Sequence, residues 1–373
     1  MSRPLKVLAI EPYYTGSHRA FIDGWIENSG HDWTLLTLPG YHWKWRMRHS
    51  ALLMASAVGE RLEASENWDV VFATDMLNVA EFRGLVDPSV AGIPHVLYFH
   101  ENQFSYPNTR EDPRDLHFGF SNLISAVAAD SVWFNSEFNR QSFLDCLDDL
   151  MPRWPDYPPV QERKLLESNS RIEYPAIALP GSLKSGFSAP DQPIHLIWAA
   201  RWEHDKQPEQ LLEALRILRE SGTEFRLSVV GESFRNVPES FAQIRAEFSD
   251  QLRRFGYQES RKEYFEALCE ADIFVSTASH EFFGLSAVEA VVAGLHPLLP
   301  DRLAYPEVLG TATNEPERFM YEGTAESLAN SIARLDRARS LLSNQLASRF
   351  ADKFAWGTRA PQLDEGLSRI SRV

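Results

Sequence analysis

The chain opens with short apolar runs that alternate with longer segments of helical periodicity. The predicted strands are residues 5–10, 33–38, 70–73, 94–100 and 131–135, and the predicted helices include residues 17–27, 46–64 and a helix capped by Ser136. Runs this short and this apolar are typical of strands whose two faces are both buried. The alternation therefore predicts an α/β domain in which helices cover both faces of a parallel sheet.

A second alternating series begins near residue 194. Its predicted strands are residues 194–200, 225–231 and 271–277, and its predicted helices are residues 208–221 and 285–294. The four prolines within residues 151–159 indicate an insertion loop, and residues 180–190 indicate a linker. We therefore predict two facing Rossmann-like domains with a cleft between them, residues 1–185 and 190–354. Residues 355–373 are expected to form a helix that packs back on the first domain.

Length, composition and charge narrow the class of protein. With 373 residues, of which 44% are hydrophobic, the chain fits two globular domains. The first apolar run is too short for a signal sequence or a membrane span, and two cysteines in helix-like segments do not indicate a disulfide framework, so we expect a protein of the reducing cytoplasm. A net charge of -15 argues against general adhesion to nucleic acid or membrane, although a local basic patch is compatible with it.

The segment from Glu281 to Glu289 carries the strongest candidate chemistry. It places two carboxylates eight positions apart, where a predicted strand turns through Phe282, Phe283, Gly284 and Leu285 into a helix. The start of a helix offers free N–H groups to phosphate, and carboxylates accept hydrogen bonds from sugar hydroxyls. A nucleotide-sugar supplies both groups, whereas the alternative is a surface helix with two unrelated acids.

This segment resembles the E-x7-E signature of retaining glycosyltransferases with the GT-B fold. The resemblance implies that Glu281 contacts the donor sugar and that Glu289 contacts the nucleotide ribose. Arg201 and Lys206 follow the strand that ends at residue 200, and their spacing resembles the family's pyrophosphate clamp. Two fixed cations stabilise a diphosphate leaving group without a metal, so we expect no divalent ion and no cofactor beyond the donor substrate. The alternative is a solvated charged loop.

Polar residues also follow two strands of the first domain. Gly16 permits close approach of a donor phosphate, and Ser17 and His18 are candidate acceptor contacts at the start of a helix. Because the full G-x-G-x-x-G pattern is absent from this segment, a dinucleotide cofactor is not expected. His100, Glu101, Asn102 and Gln103 are candidate cleft residues, with His117 and Asn122 as weaker ones. By resemblance, His100 lies beside the reacting sugar as a catalytic residue.

The segment from residue 41 to residue 49 departs from the acidic average of the chain. It interleaves aromatic and cationic side chains, namely Trp43, Lys44, Trp45, Arg46 and Arg48. Aromatic rings stack on unpaired bases and cations neutralise phosphates, so the pattern suits recognition of an RNA loop. The alternative is the start of an amphipathic helix whose basic side chains lie along apolar surface.

Taken together, these motifs resemble the tRNA-queuosine α-mannosyltransferase family over nearly the whole chain. The resemblance is carried by residues 11–18, 42–48 and 100–103 as well as by the donor motifs. It implies transfer of mannose from GDP-mannose to the cyclopentene diol of queuosine in a tRNA anticodon loop, with no membrane involved. Lys44, Arg46 and Arg48, with Arg110 and Arg114, would supply the basic surface. The alternatives are a related transferase with a lipid or polysaccharide acceptor and a non-catalytic module that binds nucleotide-sugar or tRNA.

Overall fold

A computed structural model describes residues 3–106, 116–181, 183–184, 186–233 and 236–371 of the chain. The chain divides into two compact units, the first formed by Met1–Ala176 with Trp356–Val373 and the second by Ile177–Ala355. Arg110 and Arg114, two of the cations predicted to meet tRNA, lie outside the described residues.

The first unit is built on a six-stranded, all-parallel sheet in the order β2-β1-β3-β4-β5-β6. Strands β3 and β4 are buried along their whole length, as the apolar runs predicted. The strands are β1 Lys6–Tyr14, β2 Asp32–Pro39, β3 Val70–Thr74, β4 His95–Phe99, β5 Ser131–Phe134 and β6 Ser170–Ile172. The α-helices are α1 Gly16–Asn28, α2 Trp43–Glu63, α3 Val79–Leu85, α4 Pro88–Ala91, α5 Leu116–Ala128, α6 Glu137–Leu150 and α7 Val160–Asn169.

The second unit repeats this plan with a parallel sheet in the order β12-β11-β10-β7-β8-β9. Its strands are β7 Ile194–Ala199, β8 Phe225–Val230, β9 Leu252–Gly256, β10 Ile273–Val275, β11 His296–Pro300 and β12 Met320–Tyr321. Its α-helices are α8 Pro208–Glu220, α9 Glu239–Glu247, α10 Arg261–Glu270, α11 Leu285–Val292, α12 Tyr305–Gly310, α13 Ala325–Arg337 and α14 Ala347–Phe354. The leucines predicted at helical spacing on α8 are buried in its core.

The last helix, α15 (Trp356–Ile370), packs on the first unit. One carboxylate on this helix makes several of the contacts. Asp364 Oδ1 accepts hydrogen bonds from Trp25 Nε1 at 2.8 Å and Ser29 Oγ at 2.7 Å, and its Oδ2 accepts one from Gly30 N at 2.7 Å. The Trp356 ring also lies against Phe21, with centroids 6.1 Å apart. Helix α15 therefore completes an aromatic core that begins more than 300 residues earlier in the chain.

Several local predictions can be compared with the structure directly. Ser136 caps α6 as predicted, because its hydroxyl accepts a hydrogen bond from Asn139 N at 2.9 Å. Cys146 and Cys269 are not joined to each other in a disulfide. Lys184, which falls in the predicted linker, belongs to the second unit. Its Nζ lies 3.2 Å from the buried Asp272 carboxylate. The first unit therefore ends at residue 176, before the predicted linker.

Candidate active site

In the second unit, Lys206 and Glu281 come together although they are far apart in sequence. Lys206 lies in a short 3-10 turn, His204–Lys206, that follows β7. Its Nζ donates to His280 O at 2.7 Å and lies 3.0 Å from Asp205 Oδ2 and 3.4 Å from Glu281 Oε2. The ammonium group is buried, so it forms one compact charged cluster with two carboxylates. The predicted cationic clamp and the first acid of the E-x7-E segment therefore belong to one site.

Electrostatics keep this cluster charged. Burial works against the charged form of Lys206, but the Glu281 and Asp205 carboxylates outweigh it and raise the pKa of the ammonium. Burial likewise opposes ionisation of Glu281, yet Lys206 lowers the pKa of that carboxyl. For His280, burial and then the charge of Lys206 lower the pKa to about 4, so this imidazole is neutral at pH 7. The cluster thus holds a cation whose carboxylate partners can be exchanged for a phosphate.

Arg201 occupies the outer side of the same region. Its Nη1 lies 3.2 Å from Glu203 Oε2, and its side chain is about half exposed. Its charge also acts to lower the pKa values of Lys206 and Glu281. A partly exposed guanidinium beside a buried ammonium suits a ligand that carries two adjacent phosphates.

The turn before α11 has a backbone conformation that lets an anion approach the start of the helix closely. Gly284 precedes the helix with φ +91°, and a Cβ at this position would lie 2.8 Å from Tyr305 Cε1. No side chain caps the helix start and its first turn holds no acid. Phe282 and Phe283 are buried against His280 and Phe354 respectively, so their rings belong to the core and only their backbone can face a ligand.

Glu289 lies one turn into α11 and is held by Arg261, a residue that was not predicted from the sequence. Arg261 Nη2 donates to Glu289 Oε1 at 2.7 Å. Burial, followed by the Glu289 charge, raises the pKa of Tyr264 well above its ordinary value. Tyr264 therefore remains a hydrogen-bond donor. Arg261 and Tyr264 both lie on α10, where a strand-end rule could not have found them.

In the first unit, polar side chains converge at the carboxyl ends of β1, β3 and β4. His18 Nδ1 lies 3.1 Å from Glu11 Oε2, and Glu11 Oε1 accepts a hydrogen bond from Tyr13 N at 2.8 Å. The His18 ring lies against the His100 ring, with centroids 4.1 Å apart and an interplanar angle of 36°. Asp75, which the sequence did not single out, accepts a hydrogen bond from His100 N through Oδ1 at 3.0 Å.

The two histidines of this cluster have opposite charge states. Burial disfavours the charged form of His18, but Glu11 more than compensates and raises its pKa to about 9. For His100, burial and then the charge of His18 lower the pKa well below the ordinary value. Burial raises the pKa of Asp75 to about 8. At pH 7 the cluster is therefore an imidazolium–carboxylate pair beside a neutral imidazole and a protonated Asp75.

Two buried atoms of this cluster, His100 Nε2 and Asp75 Oδ2, have no hydrogen-bond partner among the described residues. A buried polar atom without a hydrogen-bond partner favours a ligand that supplies one. Glu11, His18 and His100 also offer one ligand atom each within 4.8 Å of one another, which is a possible set of donors for a metal ion. Since His18 and Glu11 already satisfy each other, a metal would have to displace the imidazolium proton.

The other predicted acceptor residues of this edge have different surroundings. Asn102 is fully buried, and its side chain bridges Asn139 Oδ1 at 2.8 Å and Ser105 N at 2.9 Å, so it braces its own loop. Gln103 Nε2 donates to Glu101 Oε1 at 2.9 Å. Gly16 and Ser17 are exposed at the start of α1, which carries no side-chain cap and no acid in its first turn.

The start of α2 divides the aromatic–cationic segment into buried and exposed members. Trp43 lies against Phe118 with centroids 5.1 Å apart. Arg46 is buried, and its Nε donates to Pro39 O at 3.1 Å. Trp45 is 61% exposed, and Arg48 is exposed as well. Trp43 and Lys44 are half-buried, so of the five predicted RNA contacts in this segment only Arg46 is buried.

Within the described ranges, every helix is too short or too polar to cross a membrane.

Comparisons with known proteins were made for the sequence and for the fold. Residues 6–177 match the family described as "tRNA-queuosine alpha-mannosyltransferase N-terminal", and residues 183–349 match "Glycosyl transferases group 1". A Drosophila melanogaster protein named tRNA-queuosine alpha-mannosyltransferase is 38% identical over 311 residues, which is 81% of this chain and 81% of the relative. A Mycobacterium tuberculosis GDP-mannose-dependent phosphatidylinositol dimannoside mannosyltransferase is 24% identical and covers 48% of this chain and 45% of its own.

Two solved structures resemble the fold over almost the whole chain. The catalytic domain of starch synthase IV from Arabidopsis thaliana, bound to ADP and acarbose, has a TM-score of 0.72 at 12% identity and covers 99% of this chain and 100% of its own. Sucrose-phosphate synthase from Thermosynechococcus elongatus has a TM-score of 0.68 at 15% identity and covers 98% of each chain. At such low identity the likeness shows the fold alone, which is GT-B, as predicted.

Proposed function

The chain belongs to the tRNA-queuosine α-mannosyltransferase family, and on that premise we propose that it transfers mannose from GDP-mannose to the cyclopentene diol of queuosine in a tRNA anticodon loop. The chain is a glycosyltransferase. A tRNA substrate would place the activity in the cytoplasm. The mycobacterial relative, whose name states that it depends on GDP-mannose, supports this choice of donor.

The observation that carries the proposal is the buried contact between Lys206 and Glu281. In the proposed complex, the diphosphate takes the place of a carboxylate beside the Lys206 ammonium, and Arg201 meets its outer oxygens. The released Glu281 carboxylate then accepts hydrogen bonds from mannose hydroxyls. Glu289, already held by Arg261, offers its second oxygen to the ribose.

In the proposed reaction, the bond between mannose C1 and the β-phosphate oxygen breaks as a bond forms between C1 and one diol oxygen. The proton of the attacking hydroxyl passes to a phosphate oxygen of the departing GDP, so no strong protein base is needed. Attack on the same face retains the anomeric configuration. Lys206 and Arg201 stabilise the charge that grows on the diphosphate, which is why we propose a reaction without metal. We also propose that the unpartnered His100 Nε2 of the first unit hydrogen-bonds a hydroxyl group of a ligand.

Labelled GDP-mannose, incubated with tRNA that contains or lacks queuosine, tests the donor and acceptor together. We expect label only in queuosine-containing tRNA, an α-linked product by NMR, and the same rate with and without a chelator. Equal labelling of both tRNAs, or of neither, would refute the acceptor assignment. Loss of transfer on chelation, with recovery on adding back a divalent ion, would refute the metal-free mechanism.

The same assay separates the two other interpretations of the chain. A non-catalytic module would bind GDP-mannose but release no GDP at enzymatic rates, either with or without acceptor. A transferase for lipid or polysaccharide would release GDP only with those acceptors. Including a phosphatidylinositol mannoside as a competing acceptor makes the second outcome visible, because the mycobacterial relative is named for such a substrate.

A further inference from the structure

The N-terminal turns of α2 present an aromatic stack to solvent. The rings of Trp45 and His49 lie nearly parallel, with centroids 4.9 Å apart and an interplanar angle of 23°. His49 covers only part of the indole, because Trp45 remains 61% exposed. A cavity of about 540 Å³ adjoins the stack and is lined by His42, Trp43, Lys44 and Trp45. We propose that Trp45 and His49 form a platform on which an unpaired nucleobase of the acceptor tRNA stacks.

Buried Arg46 holds this platform in place. His49 Nδ1 donates to Trp45 O at 2.6 Å, which leaves His49 Nε2 to accept from Arg46 Nη1 at 3.4 Å. The Arg46 guanidinium lies 5.0 Å from the centroid of the Tyr41 ring, a second exposed aromatic group. One immobile cation therefore orients two surface rings. This arrangement lowers the entropy lost when a ligand stacks on them.

The charge around the platform suits a nucleic acid. Residues 33–59 contain no aspartate or glutamate, although the chain has 52 acidic residues and a net charge of -15. Arg48 is exposed and lies in the same N-terminal turns of α2 as Trp45. Its guanidinium lies over the Phe118 ring of α5, 5.4 Å from the ring centroid. Lys44 lies 5.5 Å from the centroid of the Trp43 ring. The platform thus lies in a stretch of sequence that carries cations and no acids, as expected where a polyanion must approach.

Base–aromatic stacking accounts for these features better than a protein partner. A protein partner would bury the exposed indole, but only a strongly acidic one would also gain from the cationic side chains around it. A base offers a flat π face to Trp45, while its flanking phosphates meet Arg48 and Lys44. This inference rests on the proposed function for the identity of the RNA, and it adds a contact with a base other than the one that receives the sugar.

Binding of queuosine-containing tRNA to Trp45→Ala, Trp45→Phe and Arg48→Ala tests the inference. Loss of one base–aromatic stack should raise the Kd of Trp45→Ala between about 5-fold and 150-fold, and Trp45→Phe should recover most of the affinity. The slope of log Kd against log salt should stay unchanged for Trp45→Ala and fall by about one for Arg48→Ala, because only the second loses a phosphate contact. Tyr157→Ala, which removes a 91% exposed aromatic ring of the same unit, is the matched control and should bind normally.

The results distinguish this inference from the proposed function. If the wild type transfers mannose to queuosine tRNA and Trp45→Ala keeps the same Kd and KM for tRNA, the platform is refuted and the proposed function stands. If the wild type binds tRNA in a Trp45-dependent way but transfers no mannose, the proposed function is refuted instead. An unfolding temperature like that of the wild type shows that Trp45→Ala is folded. A loss of affinity that Trp45→Phe does not recover, or that Tyr157→Ala reproduces, would overturn the stacking role.

Discussion

Replacing Glu11 with glutamine removes the charge that keeps His18 protonated. In the wild type, His18 is buried with its Nδ1 3.1 Å from Glu11 Oε2, and its pKa is about 9 instead of the ordinary 6.5. Each tenfold change in proton affinity is worth about 1.4 kcal/mol, so this gap corresponds to about 3 kcal/mol. In the Glu11→Gln variant, burial remains and the attraction is lost. We therefore expect the pKa of His18 to fall below its ordinary value.

The sign of the stability effect follows from linkage. Because the folded pKa of His18 is raised, its stabilising contribution is fully present below pH 6.5 and is lost as the pH rises through about 9. Asp75 acts in an overlapping window, since its folded pKa of about 8 means that stability falls as pH rises from 3.8 to 8. Glu101 also favours the protonated form of His18. The His18 part of this decline, about 3 kcal/mol between pH 6.5 and 9, should vanish in Glu11→Gln.

Two-dimensional NMR of the histidine rings measures the titration directly, with His18→Gln used for assignment. Urea unfolding of the first unit at pH 6.5 and pH 9 measures the linked change in free energy. Glu27→Gln, an exposed change on the helix that carries His18, is the matched control and should leave both quantities unaltered. A wild-type His18 that titrates near 6.5, or one that stays near 9 in Glu11→Gln, would refute the reasoning.

Three further predictions concern the donor half and the core. Lys206→Ala should lower kcat/KM for transfer about 100- to 1,000-fold in steady-state assays, as for other lost groups that stabilise developing negative charge. The control Lys262→Ala, at an exposed lysine, should leave kcat/KM unchanged. Equal rates for the wild type and Lys206→Ala would show that the ammonium takes no part. Gly284→Ala should weaken GDP binding in calorimetry by at least about 10-fold, because both the φ of +91° and the space around Gly284 exclude a Cβ. Unchanged binding would contradict the close approach of GDP to this turn. Asp364→Ala should lower the free energy of unfolding of the first unit by about 1–3 kcal/mol in urea titrations, because it leaves the buried Trp25 N–H unpaired; an unchanged midpoint would mean that water replaces the carboxylate.

The fold was predictable because its elements are local. Apolar runs such as residues 70–73 and 94–100 identify buried strands without knowledge of what covers them, and Ser136 marks the start of its helix by its own chemistry. The pairing of Lys206 with Glu281 was accessible only through the resemblance to a family, because spacing along the chain does not report a distance in space.

Apart from Asp75, the site residues that sequence reasoning missed depend on packing between distant segments. Asp75 follows a buried strand just as His100 does, so the strand-end rule could have found it. The ion pair of Arg261 with Glu289 joins two helices and leaves no local signal. Composition also could not separate Trp43 from Trp45. Which indole faces Phe118 and which faces solvent is decided by how α2 lies against α5.

The return of α15 to the first unit has a consequence for how the protein emerges from the ribosome. Strands β1 to β6 are synthesised before the second unit, yet Trp25, Ser29 and Gly30 bind Asp364, which is made more than 330 residues later. The later half can therefore assemble while the earlier half still exposes an unfinished aromatic surface, the reverse of the usual order of vectorial folding. Nascent chains stalled anywhere before α15 should consequently be preferred clients of chaperones that recognise apolar surface.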